Sequence, residues 1–148
     1  MPRIERTAEV VWEGNLARGE GSLSAGTGAF AGLPYSLPTR IGQAEGRTSP
    51  EELLAAAHGG CLTMSLAGEL TGAGTPPGRL EVGCRIVMDE VEGRGHQIVA
   101  SHVVAVVAAG GLDEAGLSTA LAAADEGCPF SALLRRAGAT VEVEARLA

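Results

Sequence analysis

Residues 49–70 read SPEELLAAAHGGCLTMSLAGEL. Ser49 is a capping residue, Pro50 stands at the first helical position, and Glu52 lies three residues after the cap. A helix is therefore expected from this point through Leu70, stopped by Gly72, Gly74 and Pro76-Pro77. Between Leu53 and Ala67 nearly every face is apolar or small, so the helix is expected to be buried on most sides.

What surrounds this helix is read outward from it. On the C-terminal side, residues 79–92 alternate: Leu80, Val82, Cys84, Ile86 and Met88 fall on one face, and Glu81, Arg85 and Asp89 on the other. A turn at Gly93–Gly95 leads to a second strand, His96–Ala108, making a hairpin. A helix over Asp113–Glu126, closed by Gly127, follows. Cys128-Pro129 then opens a short helix, Phe130–Arg136, and TVEVEARL (140–147) is a last strand with Val141, Val143, Ala145 and Leu147 inward. On the N-terminal side, segments 3–13, 19–25 and 33–41 read as short strands split by Gly-rich turns. Pro34 and Pro38 demote the third to an edge or irregular strand. The order is three strands, helix, two strands, helix, strand. Hairpin connections make the sheet mostly antiparallel, and the fold class α+β with a buried central helix.

The bulk composition narrows the function. A length of 148 residues suits one domain, 1–148, and 45% hydrophobic residues can fill a core, although only 3% are aromatic. The net charge is −7, so binding to phosphate backbones gains nothing from counterion release, and no nucleic-acid partner is expected. No apolar run approaches the ~20 residues of a membrane span. The N-terminus MPRIERTAEVVWEG is too polar for a signal peptide, so a cytoplasmic location is expected. In that reducing compartment three cysteines are no disulfide framework; they are core thiols, metal ligands or redox groups.

The three differ in setting. Cys84 occupies a core-facing strand position, where a free thiol acts as a small hydrophobe. Cys61 follows Gly59-Gly60 inside a helix, and each Gly costs about 1 kcal/mol there relative to Ala. Such a pair is tolerated where something must come close; access to the Cys61 sulfur and tight helix packing are both open. Cys128 follows a capping Gly and precedes Pro at a helix start. The positive end of a helix dipole there favours a thiolate. Cys61 and Cys128 are 67 residues apart, and spacing does not pair them.

Pro38–Arg40 (PTR), Ser49–Cys61 (SPEELLAAAHGGC), Gly127–Leu134 (GCPFSALL) and the opening EVVWEGNLARGEGSLS (9–24) together resemble the OsmC (osmotically inducible protein C) branch of the OsmC/Ohr hydroperoxide-reductase family. The resemblance runs over nearly the whole chain. The arginine in PTR, rather than in a Gly-rich segment nearer the N-terminus, favours OsmC over its sister branch. Gly59-Gly60 stands where the family usually carries an Ala pair, which could loosen the pocket. The resemblance implies an OsmC-like intertwined homodimer with two interfacial sites, and reduction of organic hydroperoxides without a cofactor. It implies Cys61 as the peroxidatic cysteine, Cys128 as the resolving cysteine, Arg40 as the arginine that stabilises the thiolate and orients the peroxide, and Glu51 as the glutamate that holds Arg40. The implied reductant is a dithiol such as a lipoylated protein.

The chemistry needs these groups. Only a thiolate attacks peroxide well. A guanidinium is always charged and offers a rigid fork of donors to a thiolate and a leaving alkoxide. In an apolar cleft that cation needs a counter-charge, which Glu51 supplies. Ten helical residues span about 15 Å, so the Glu51 serving a given Cys61 is expected from the partner chain. Leu, Met, Phe130 and Tyr35 are candidates for an apolar substrate wall. Two rivals stand beside this reading. His58, Cys61 and Cys128, with His96 or His102, could hold a metal, although His58 reads better as a satisfied core or pocket-wall histidine. Alternatively, the same thiols could serve a non-catalytic redox sensor or a carrier of hydrophobic ligands.

Overall fold

The structure, a computed structural model, describes residues 2–148. Two compact units are present among the described residues, one up to Pro50 and one over 51–148.

The first unit is a three-stranded antiparallel sheet in the order β1 (Ala8–Glu13), β2 (Glu20–Ala25), β3 (Leu33–Tyr35), followed by a short helix α1 (Leu37–Ile41). Residues 3–7, expected as strand, lie outside it, because β2 ends its pairing at Ala25 opposite Ala8. Trp12 and Tyr35 meet edge to face across the sheet, ring centroids 5.6 Å apart. Both rings lie against Gly21, where a Cβ would collide with them, so this strand position is closed to any side chain. The expected strand 33–41 is corrected. Only Leu33–Tyr35 pairs; Ser36 then takes an extended conformation and caps α1 through its hydroxyl, with Pro38 in the first turn. Proline lacks an N–H wherever it sits, and at a helix start that donor is not missed.

In the second unit, α2 (Pro50–Gly72) begins where the cap signature placed it. The hairpin of β4 (Arg79–Val91) and β5 (Gly95–Ala108) is antiparallel, with Cys84 opposite Val103 and one irregularity at Val87/Met88. Then come α3 (Glu114–Gly127), capped by Asp113, α4 (Pro129–Arg136), and β6 (Thr140–Leu147). The sheet order is β4-β5-β6, and β6 runs parallel to β5. A parallel neighbour requires a crossover, and α3 with α4 forms it. The order of elements and the α+β class agree with the sequence reading; the parallel edge refines "mostly antiparallel".

Leu62, Leu66 and Leu70 of α2 pack with Val103, Ala105 and Val107 of β5 and with Leu117, Ala120 and Ala124 of α3. Each such leucine, fully buried, contributes about 1.5–3 kcal/mol of transfer free energy. This is one stripe of α2, not most of its circumference. Met64 on another face is 78% exposed, because one three-stranded sheet and one helix pair cover a single side. No helix among the described residues is long and apolar enough to cross a membrane.

Candidate active site

The helix α2 presents Cys61 partly exposed, one residue before the buried Leu62. Cys128 is fully buried at the junction where α3 ends and α4 begins. It caps α4: its sulfur accepts the Ser131 backbone N–H at 3.5 Å. The fold brings these two cysteines together, close enough that Cys128 shifts the ionisation of the Cys61 thiol. The backbone N–H of Phe130 and the side chain of Ser65, one turn further along α2, also act on Cys61. The first turn of α4 thus reaches both sulfurs, Phe130 toward Cys61 and Ser131 toward Cys128. The sequence pointed to a helix start at Cys128; that the same start would reach Cys61 was not visible in it.

Within this environment the Cys61 thiol is pushed above its ordinary value, by burial first and by the neighbouring Cys128 second. The Phe130 and Ser65 hydrogen bonds oppose the shift without cancelling it. A positive charge close to Cys61 would favour its thiolate.

Arg40 lies in the last turn of α1, exposed, beside Trp12, Leu16, Tyr35 and Leu37 of its own unit. Glu51 is in the first turn of α2, the helix that carries Cys61. Ten residues of one helix hold the two about 15 Å apart. Gly59 and Gly60 divide the two explanations offered for the pair. A Cβ on Gly59 would stand 3.2 Å from the Cys84 Cβ, so this glycine permits close packing of α2 on β4. Gly60 faces open space in a groove of about 500 Å³ with Ala55, Ala56, Thr63 and Cys84; Cys61 is not part of its lining.

His58 is a satisfied core histidine. Nδ1 bonds the Ser101 hydroxyl at 2.6 Å and Nε2 the Ser131 hydroxyl at 2.8 Å. Neither nitrogen has a lone pair free for a metal, and His102 is turned to the outer face of the sheet, bonded to Glu144 at 2.8 Å. Ser101 and Ser131 were not singled out in the sequence, nor were Asp125 and Arg135, which form a two-pronged ion pair at 3.1 and 2.6 Å. Burial raises the Asp125 carboxyl, but hydrogen bonds from Arg135 and Ser131 and the Arg135 charge outweigh it and hold it below the usual range.

Burial also keeps His58 neutral, below its ordinary 6.5; Arg135 adds to this and Asp125 opposes it. Below about 6.5 the unfolded chain takes up a proton on His58 that the fold refuses, so stability declines as pH falls through that value, by up to ~1.4 kcal/mol per pH unit. Urea unfolding of the wild type should accordingly lose about 1 kcal/mol more between pH 6.5 and 5.5 than a His58→Gln variant.

Comparison with known proteins bears on the family and the fold. A sequence profile described as OsmC-like protein matches residues 42–144. Peroxiredoxin OsmC of Escherichia coli (strain K12) is 33% identical over 132 residues, covering 89% of this chain and 91% of that protein. Among solved structures, an organic hydroperoxide resistance protein from Elizabethkingia anophelis superposes with a TM-score of 0.79 at 19% identity, over all of both chains. An OsmC organic hydroperoxide resistance protein from Legionella pneumophila gives 0.76 at 19% identity over 97% and 98%. The structural likenesses carry the fold, and the sequence match carries the kinship: the chain belongs to the OsmC family of thiol-dependent peroxidases.

Proposed function

We propose that this chain reduces organic hydroperoxides to alcohols through Cys61 and Cys128. The Cys61 thiolate attacks the terminal peroxide oxygen. The O–O bond breaks, the alkoxide takes a proton to leave as alcohol, and Cys61 becomes a sulfenic acid. The Cys128 sulfur then attacks the Cys61 sulfur; an S–S bond forms and the hydroxyl leaves as water with the thiol proton. A dithiol such as a lipoylated protein returns both cysteines to thiols and is itself oxidised to its disulfide. The observation that carries this reading is the placement of Cys61 beside Cys128 at the start of α4. Arg40 is the cation proposed for Cys61, and Glu51 of a second subunit the carboxylate that holds Arg40. The active unit is an intertwined homodimer of one OsmC-like domain per chain, working in the cytoplasm. The open face of α2 and the exposed Val10, Val11 and Leu133 are apolar surface that a second copy would cover. An apolar site favours alkyl peroxides over hydrogen peroxide by about 0.8 kcal/mol per buried CH₂.

Peptide mapping after one equivalent of cumene hydroperoxide tests the reading. The expected product is a Cys61–Cys128 disulfide; sulfenic chemistry confined to Cys84 would reject it. Cys128→Ser should still react once at the wild-type rate and then accumulate sulfinic acid on Cys61, with steady-state turnover lost. Normal turnover of that variant, with no sulfinic acid by mass spectrometry, would remove the resolving role.

The raised Cys61 thiol favours one alternative, a sensor that oxidises without turning over. Steady-state consumption of cumene hydroperoxide with dihydrolipoamide separates the two: the peroxidase turns over and the sensor stops after one equivalent.

A further inference from the structure

Two pairs of residues face each other between α2 and α4. His58 and Cys61 are three apart on α2, and Cys128 and Ser131 are three apart at the start of α4. In each pair the side chains share a helix face. One rung sets Cys61 beside Cys128; the other joins His58 Nε2 to Ser131 Oγ at 2.8 Å.

The second rung continues into the sheet. His58 Nδ1 bonds the Ser101 hydroxyl at 2.6 Å, and the Cys84 sulfur lies 3.5 Å from the same hydroxyl. The chain of bonds therefore runs from β4 and β5 through His58 of α2 to Ser131 of α4. Among the described residues no buried side-chain nitrogen or oxygen lacks a partner.

An apolar pair of the same shape would fill the space between α2 and α4 with no desolvation cost, so a polar rung earns its place through geometry. Ser131 is where that geometry acts on the chemistry: its hydroxyl is tied to His58 while its own N–H is tied to the Cys128 sulfur. We propose that His58 and Ser131 are positioning residues for disulfide closure, their hydrogen bond holding α4 in the register that presents Cys128 to the oxidised Cys61. This rests on the roles given above to the two cysteines. The rung decides a competition at the Cys61 sulfenic acid. Either Cys128 attacks, forming S–S and releasing water, or a second hydroperoxide oxidises the sulfur to sulfinic acid and is itself reduced to alcohol.

The test uses the reduced full-length protein and graded cumene hydroperoxide. Stopped-flow fluorescence follows the first oxidation, and mass spectrometry counts disulfide and sulfinic acid. Ser131→Ala should leave the first oxidation unchanged and slow disulfide closure about tenfold, the effect of one lost buried hydrogen bond. Sulfinic acid at Cys61 should then appear at correspondingly lower peroxide. Ser131→Thr, which keeps the hydroxyl, should recover most of the closure rate. Closure of Ser131→Ala at the wild-type rate overturns the proposal alone, as does equal slowing by Ala and Thr, which would make side-chain volume the cause. A wild type that forms no Cys61–Cys128 disulfide overturns the cysteine roles and the proposal with them.

Discussion

Cys61→Ser is expected to abolish hydroperoxide turnover, with a loss of at least about 10⁴-fold, the scale seen when a nucleophile is removed from a site that otherwise stays intact. The substitution swaps sulfur for oxygen and changes little else. A serine hydroxyl is not ionised near neutral pH, and oxygen cannot pass through a sulfenic acid, so neither half of the proposed cycle survives. Cys61 is half-shielded, with Phe130, Ser65 and Cys128 as its polar neighbours, and a hydroxyl fits among them. The fold should therefore persist with a melting temperature within a few degrees of wild type, which separates loss of chemistry from loss of structure. The measurement is consumption of cumene hydroperoxide with dihydrolipoamide, beside a thermal melt of the same sample. Retention of more than a small fraction of the wild-type rate would move the chemistry to another residue.

Much of the fold was legible because local signals and tertiary structure agreed. Ser49-Pro50 started α2 as read, and the alternation of Leu80, Val82, Cys84 and Ile86 marked the shielded face of β4. The reading failed where one residue type carries two meanings. Pro38 was taken as a mark of an irregular strand, yet Ser36 two residues earlier gives the same cap-and-proline signature that was accepted at Ser49-Pro50. The parallel direction of β6 left no trace in TVEVEARL, because alternation reports a covered face and not the neighbour's direction.

The site divides the same way. Cys61 and Cys128 could be nominated from their helix positions, but their meeting depends on how α4 docks on α2, which no local pattern encodes. Ser101 could have been found. Val103, Ala105 and Val107 point inward along β5, so a residue two before Val103 does too, and a serine on that face needs a buried partner. His58, on a helix that otherwise buries leucine, was the candidate to supply it.

Arg40 and Glu51 carry the second large expected effect, because they are the groups proposed to favour the Cys61 thiolate. Burial and the Cys128 sulfur raise its thiol, and the hydrogen bonds from Phe130 and Ser65 fall short of offsetting them. If Arg40 is the cation that favours the Cys61 thiolate, Arg40→Met should slow the reaction with hydroperoxide by about 10²–10³-fold, the range for removing a charge-stabilising donor from an active site. The sign of the accompanying pH effect follows. Without the cation the thiolate forms only at higher pH, so the variant's rate should keep rising into the alkaline range where the wild-type rate has levelled off. Arg40→Lys should recover only part, since a point charge does not reproduce the planar fork. An Arg40→Met rate equal to wild type at every pH would exclude Arg40 from the site. Glu51 then tells which subunit completes it. The α2 helix holds Glu51 and Cys61 of one chain about 15 Å apart, farther than one arginine side chain can bridge between its two partners. Glu51→Gln and Cys61→Ser homodimers should each be impaired. Co-expression of the two variants should nevertheless recover activity, because the mixed dimer has one site with an intact Cys61 from the first variant and an intact Glu51 from the second. A site built within one chain has no such combination, since each subunit of the mixed dimer carries one defect. Failure of isolated mixed dimers to exceed the Glu51→Gln homodimer would place Glu51 on the same chain as the Cys61 it serves. The helix would then have to bend, or Arg40 act without Glu51.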